Sequence, residues 1–367
     1  MSSKQYTYFP IEYQQIHDLT QKQFANFWTV EEVDTSEDKK HWTQLRTNEK
    51  EFIKWTLAFF ASADGIVIEN LGKRFFEDIT NSEGKAFYAF QMGMEAIHSL
   101  MYSVLIDTYV TDPKERDKMF NAIEEIAPIQ AKADWALKWT TDTDSSFAKR
   151  CIAFAIVEGV FFSAAFCSIY WLKDRGICPG LCLSNDFIAR DEALHVEHAC
   201  EQYKILVSNN PKERLSSEEV YSMVRSAIDT EDVFINEALK FKLKGMNAEL
   251  MREYVRYTSD HLLGMLGYKK LYNIENPFDF MDRISMDQLN NFFEGRSSVY
   301  QRSGIMDSSK NNNTTELDQE SVIKLIDEFV KSQGIKLESS DIIKNWYNEK
   351  QKGYKTYSMA SIDEFDF

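Results

Sequence analysis

The sequence predicts an all-α protein, a helical bundle with a two-metal site in its core. Three observations lead there. Apolar residues recur at helical spacing along most of the chain, and no segment alternates as a strand ladder would. Only 14 Gly and 6 Pro interrupt 367 residues, few for a turn-rich β architecture. A Glu-x-x-His pattern occurs twice, at Glu95-Ala-Ile-His98 and Glu192-Ala-Leu-His195.

Taken in order, a first helix is expected over about 11–28. A second runs from near Asn48 to Ile79, with Phe52, Leu57, Phe60, Val67 and Leu71 on its apolar side. A third covers about 84–110 and stops before Asp112-Pro113. The stretch 114–140 reads as helical with a break at Pro128, because proline cannot continue a helix it enters from behind. Residues 145–175 form a strongly apolar helix. Pro179-Gly180 is expected to punctuate, with Ser184 or Asn185 capping a helix that reaches Val207. Helices over about 216–244 and 246–270 follow.

The character changes after Met306. Asp307 to Thr315 is rich in Ser, Asn and Thr and reads as a flexible linker. Two short amphipathic helices are expected over 317–332 and 339–352. The chain ends in the acidic SIDEFDF, where Phe365 and Phe367 have the look of a docking peptide. The expected organisation is therefore a helical metal-binding domain over 1–306 and a linker-plus-tail region over 307–367.

Bulk properties narrow the function. A net charge of −16 with no Lys/Arg stripe argues against nucleic-acid binding. Residues 151–172 are long and apolar enough for a membrane span. Glu158 sits inside that stretch, however, and a lone carboxylate is costly in lipid, so a central core helix is the expectation. Cys151, Cys167, Cys178, Cys182 and Cys200 lack zinc-site spacing and read as reduced core thiols. With no apolar leader over Met1–Pro10, a cytoplasmic protein is expected.

The chemistry rests on carboxylates and imidazoles. Positions i and i+3 share a helix face, so each Glu-x-x-His pair offers an oxygen and a nitrogen to one point. A dinuclear bundle site needs two further acids from two other helices. Glu158 is one candidate, flanked at helical spacing by Phe154, Ala155, Phe161 and Phe162. Asp64 is the other, among Phe60, Val67, Ile68 and Leu71, with Glu69 a rival further around the same helix. Four carboxylates and two neutral imidazoles balance two divalent metals, and such ligands suit iron or manganese. Tyr102 lies i+4 from His98 and i+7 from Glu95, so it faces the metals, with Phe162 and Phe166 placed to wall its pocket. A phenol there can lose an electron and a proton to an oxidising centre.

Several long strings carry a resemblance. ADGIVIENL (63–71), AIHSLMYSVLIDTYVTDPKER (96–116), KADWALKW (132–139), VEGVFFSAAF (157–166), ARDEALH (189–195), NPFDFM (276–281) and YQRSGIM (300–306) resemble the small subunit of class I ribonucleotide reductase, eukaryotic type. The likeness runs from about Pro10 to Met306. It implies a ferritin-like bundle holding two iron ions, with manganese as an alternative, on Asp64, Glu95, His98, Glu158, Glu192 and His195. It also implies that the centre and O2 oxidise Tyr102 to a radical, passed on through His98, Asp191, Trp28 and Tyr300. The implied partners are a second copy of the chain and a large subunit bound through the tail. This chain departs from the pattern in carrying about sixty residues after YQRSGIM, where the family has a short link. A diiron oxygenase or desaturase, an iron-storage protein and a radical-free structural partner are the competing readings.

Overall fold

Local chemistry sets several of the helix starts. The computed structural model describes residues 7–142 and 144–284, with backbone only for Thr140 and Thr141. α1 (Gln14–Ala25) is followed by the short α2 (Asp38–Gln44) and then by the long α3 (Thr47–Asn70). α3 runs through a π turn, Leu71–Phe75, into α4 (Phe76–Asp78), so the expected helix to Ile79 is one nearly continuous rod. α5 (Ser82–Tyr109) is capped by the Asn81 side chain, which accepts from Gly84 N at 2.7 Å. α6 (Pro113–Phe120) has Pro at its first turn and Asp112 as cap, the arrangement that satisfies a free N–H with a short side chain. α7 (Ala122–Glu125) and α8 (Ala127–Thr141) complete the expected 114–140 stretch. The expected break falls at Ile126, between α7 and α8, and Pro128 sits in the first turn of α8.

The apolar segment forms α9 (Phe147–Ile156) and α10 (Ser163–Asp174), joined by a second π turn, Val157–Phe161. By length and a mean hydropathy of 2.1 this rod passes for a membrane span, yet 89% of that window is buried by neighbouring helices. It is the core helix. α11 (Pro179–Asn209), α12 (Ser217–Ala238) and α13 (Ala248–Met265) finish the bundle. No strand is present among the described residues beyond an isolated bridge, Leu243 with Met246.

The start of α11 corrects the sequence reading. Pro179-Gly180 opens the helix, and Ser184 and Asn185 lie buried inside it. The cap comes from elsewhere in the sequence: Asp38 accepts from Gly180 N at 2.9 Å and Leu181 N at 2.8 Å. A β-carbon at position 180 would collide with the Asp34 carbonyl oxygen, so glycine is what allows that approach. Tyr109 OH donates to the same Asp38 carboxylate at 2.6 Å, tying α5 to this corner.

Four rods surround the centre of the molecule: α3, α5, α9–α10 and α11, with α3 against α5, α9 against α11, and α1 laid across α5 and α11. Phe60, Leu57, Phe87, Met101, Phe154 and Ile188 are among the side chains fully buried between them. Each contributes on the order of 1.5–3 kcal/mol of hydrophobic stabilisation. Tyr300, the expected helices over 317–332 and 339–352, and the tail with Phe365 and Phe367 lie outside the described residues.

Candidate metal centre

Each of the four rods delivers acid to one buried point. α3 brings Asp64, α5 brings Glu95 and His98, the π turn in the apolar rod brings Glu158, and α11 brings Glu192 and His195. None of the six is more than 2% exposed. Glu69, the rival to Asp64, is exposed and pairs with Lys73 one turn on, so it belongs to the surface.

The two Glu-x-x-His pairs interlock. His98 Nδ1 lies 3.3 Å from Glu95 and 3.0 Å from Glu192; His195 Nδ1 lies 3.0 Å from Glu95 and 3.0 Å from Glu192. Each imidazole therefore meets the glutamate of its own helix and that of the other. Asp64, Glu95 and His98 form one group of ligand atoms within 4.8 Å of one another; Glu95, Glu158, Glu192 and His195 form a second.

Unpartnered atoms test whether metals fit. Both oxygens of Asp64 and both of Glu158 are buried without a hydrogen-bond partner, and His98 Nδ1 with the Glu95 and Glu192 oxygens beside it have only one another. Buried carboxylates in that condition cost several kcal/mol apiece unless a cation neutralises them. Burial pushes Asp64 and Glu158 well above the usual carboxylate range, helped by the nearby Glu95 and Glu192 charges. Burial also acts against charge on His195 and His98, but the surrounding carboxylates win and hold His195 up at about 9 and His98 well above its ordinary value. Glu192 is pushed up by burial, yet His195 and His98 bring it well below. Two divalent ions on this oxygen-and-imidazole set fit the charge and the donor chemistry.

The histidines are steered from behind. His98 Nε2 lies 3.2 Å from Asp191 Oδ2, and the same oxygen accepts from Trp28 Nε1 at 2.8 Å. The Trp28 ring lies nearly parallel to His98, centroids 6.0 Å apart, and is fully buried. The Gln23 amide stands 3.1 Å from His195 Nε2, and Gln91 Nε2 donates to Glu95 at 3.1 Å. Both ring Nδ1 atoms thus face the glutamates and would be the atoms offered to metals, while the Nε2 side is held by an outer partner. Neither Gln23 nor Gln91 was singled out from sequence. Gln91 was reachable, being i−4 from Glu95; Gln23 on α1 carries no such signal.

Tyr102 is 2% exposed, and its hydroxyl has no hydrogen-bond partner. Burial raises its phenol well above the ordinary value, and Asp64 is the foremost charge acting in the same direction. The ring directly stacked on it is Phe60, at 4.5 Å and 5°. Phe162 and Phe166, the expected wall, pack on Phe60 at 5.6 and 5.0 Å.

A helical bundle whose four rods supply two carboxylate-histidine pairs and two further acids defines a dinuclear metal carboxylate protein. Residues 5–277 match the family described as "Ribonucleotide reductase, small chain", and the protein belongs to that family. It is 50% identical over 303 residues to the ribonucleoside-diphosphate reductase small chain of Spisula solidissima, a match spanning 83% of this sequence and 78% of that one. It is 48% identical over 312 residues to ribonucleoside-diphosphate reductase subunit M2 of Homo sapiens, spanning 85% and 79% of the two. Among solved structures it is similar to the ribonucleotide reductase Rnr4 homodimer of Saccharomyces cerevisiae, with 29% identity and a TM-score of 0.67 over 78% of this protein and 91% of that one. A ribonucleotide reductase R2 subunit from Clostridium botulinum gives 26% and 0.71 over 77% and 91%. The oxygenase and iron-storage alternatives are not favoured by these relationships.

Proposed function

We propose that this chain is the radical-generating subunit of a ribonucleoside-diphosphate reductase, in which Tyr102 holds the radical. The observation that carries the reading is a buried, unpartnered phenol, capped by the Phe60 ring, with Asp64 of the candidate ligand set as its leading charged neighbour. Asp64, Glu95, His98, Glu158, Glu192 and His195 would hold two iron ions. Manganese suits the same donors; iron is preferred because O2 is the oxidant in this reading. When bound, the metal pair supplies the oxidising power drawn from O2.

Tyr102 would give up its phenolic proton and one electron to the oxidising centre, and the buried aromatic pocket shields the product from solvent. Trp28, Asp191 and His98 form a hydrogen-bonded line from the centre outward. Asp191 accepts from Trp28 Nε1, keeping the indole oriented and its proton under control as charge passes. Tyr300 continues that path toward the partner.

Nucleotide reduction belongs to a large subunit. All five thiols here are buried, and burial pushes each of them up, so none is a ready thiolate. Phe365 and Phe367 in the acidic tail would dock that subunit. A second copy of the chain would cover the outer face of α5, where Ala89, Gly93, Ala96 and Val104 are half-buried and Leu100 is 54% exposed. The setting is cytoplasmic.

The test is electron paramagnetic resonance on protein loaded anaerobically with Fe(II) and then given O2. A tyrosyl signal that vanishes in Tyr102→Phe supports the reading. Two irons per chain with no organic radical would shift it to an oxygenase.

A further inference from the structure

The ligand Glu158 stands on an irregular piece of helix, and a buried cation outside the metal centre holds that piece. In the π turn Val157–Phe161 the backbone ladder slips, and carbonyls near its end take side-chain donors. Ser163 Oγ donates to Val160 O at 2.7 Å, and Lys132 Nζ donates to Phe161 O at 3.0 Å. Lys132 comes from α8, a helix that supplies no ligand. Its side chain is 1% exposed and lies 2.7 Å from Glu231 of α12, itself fully buried.

A lysine so deep is expensive even when paired, because two ions leave water to form one contact. The surroundings show what holds it there. The ammonium sits 3.3 Å from the Phe59 ring centroid and 4.3 Å from that of Phe234. Phe59 in turn packs edge-on against Phe162, beside the Phe60 ring that covers Tyr102. A cavity lined by Phe59, Ser62, Ala63, Val157 and Phe161 opens against the same lysine, so the ammonium is not there to fill space.

We propose that Lys132 is a positioning residue for the metal centre: its bond to Phe161 O fixes the π turn that presents Glu158. The proposal rests on the metal-centre reading and adds a consequence specific to one of the two metals. Glu158 belongs with Glu95, Glu192 and His195, whereas Asp64 and His98 share only Glu95 with that group and make a second one without Glu158. Loss of Lys132 therefore weakens one metal position and spares the other.

The test is an anaerobic Mn(II) titration of the full chain, followed by electron paramagnetic resonance, on the parent and on Lys132→Met/Glu231→Met. The paired change removes both buried charges together, avoiding an orphaned Glu231. Should that pair not fold, Lys132→Gln/Glu231→Gln keeps a buried hydrogen bond while shortening the donor arm. The expected result is parent-like binding of one Mn(II), binding of the other weakened by about tenfold or more, and loss of the coupled two-metal signal. Hydrogen exchange at 157–163 should also quicken. Both positions filling with parent affinity, or both weakening equally, would overturn the proposal. A parent chain that binds fewer than two Mn(II) would instead sink the metal-centre reading before any variant is compared.

Discussion

Loading the centre with metal should expel protons, and the pH dependence of loading is the sharpest physical test of the site. In the metal-free chain His195 is held at about 9 against an ordinary 6.5, by Glu192 and Glu95 acting against burial. At about pH 7 its ring is almost wholly protonated, and a metal binds only the neutral ring. Each pH unit below 9 then costs a factor of ten in apparent affinity, so affinity should rise roughly a hundredfold between about pH 7 and 9. His98, Asp64 and Glu158 are also raised and add to the protons released.

Stability of the metal-free chain moves the opposite way. The folded state binds the His195 proton more tightly than the unfolded state. That contribution is complete below 6.5 and is lost as pH climbs through about 9, an effect on the order of 3 kcal/mol. Mn(II) calorimetry in two buffers of different ionisation heat measures the protons directly, and thermal melts of the metal-free chain track the stability. Heats independent of buffer near neutral pH would refute the assignment of protonated histidines facing each other's glutamates.

Five further outcomes are expected. Tyr102→Phe removes a buried hydroxyl that has no partner, so melting should be unchanged or raised by about 1 kcal/mol in stability while the radical is lost; a clear loss of stability would mean the hydroxyl has a partner. Asp191→Ala strands both Trp28 Nε1 and His98 Nε2 and should lower metal affinity by about 10–100-fold, whereas Trp28→Phe should keep metal and radical but stop turnover with the large subunit. Gly180→Ala forces a β-carbon into the Asp34 carbonyl and should destabilise by about 1–3 kcal/mol in a denaturant titration. Deleting the last seven residues should leave the radical intact and abolish large-subunit binding, with unchanged affinity in a titration counting against the docking role.

Periodicity and spacing made the helices and the six candidate ligands legible, because both repeat with the turn of the helix. Glu95 with His98 and Glu192 with His195 sit on one face whatever the rest of the fold does, and Asp64 and Glu158 are acids on apolar stripes. What the tertiary structure decided lies between elements. That Glu95 and Glu192 each reach both histidines depends on how α5 and α11 face each other. The cap of α11 comes from Asp38, far away in sequence, so local rules placed the helix start several residues late. Gln23 reaches His195 and Lys132 reaches the π turn that carries Glu158, each from a helix that contributes no candidate ligand, and Phe60, not Phe162 or Phe166, stacks on Tyr102. A helix fixes what its own face presents; only packing fixes what that face meets.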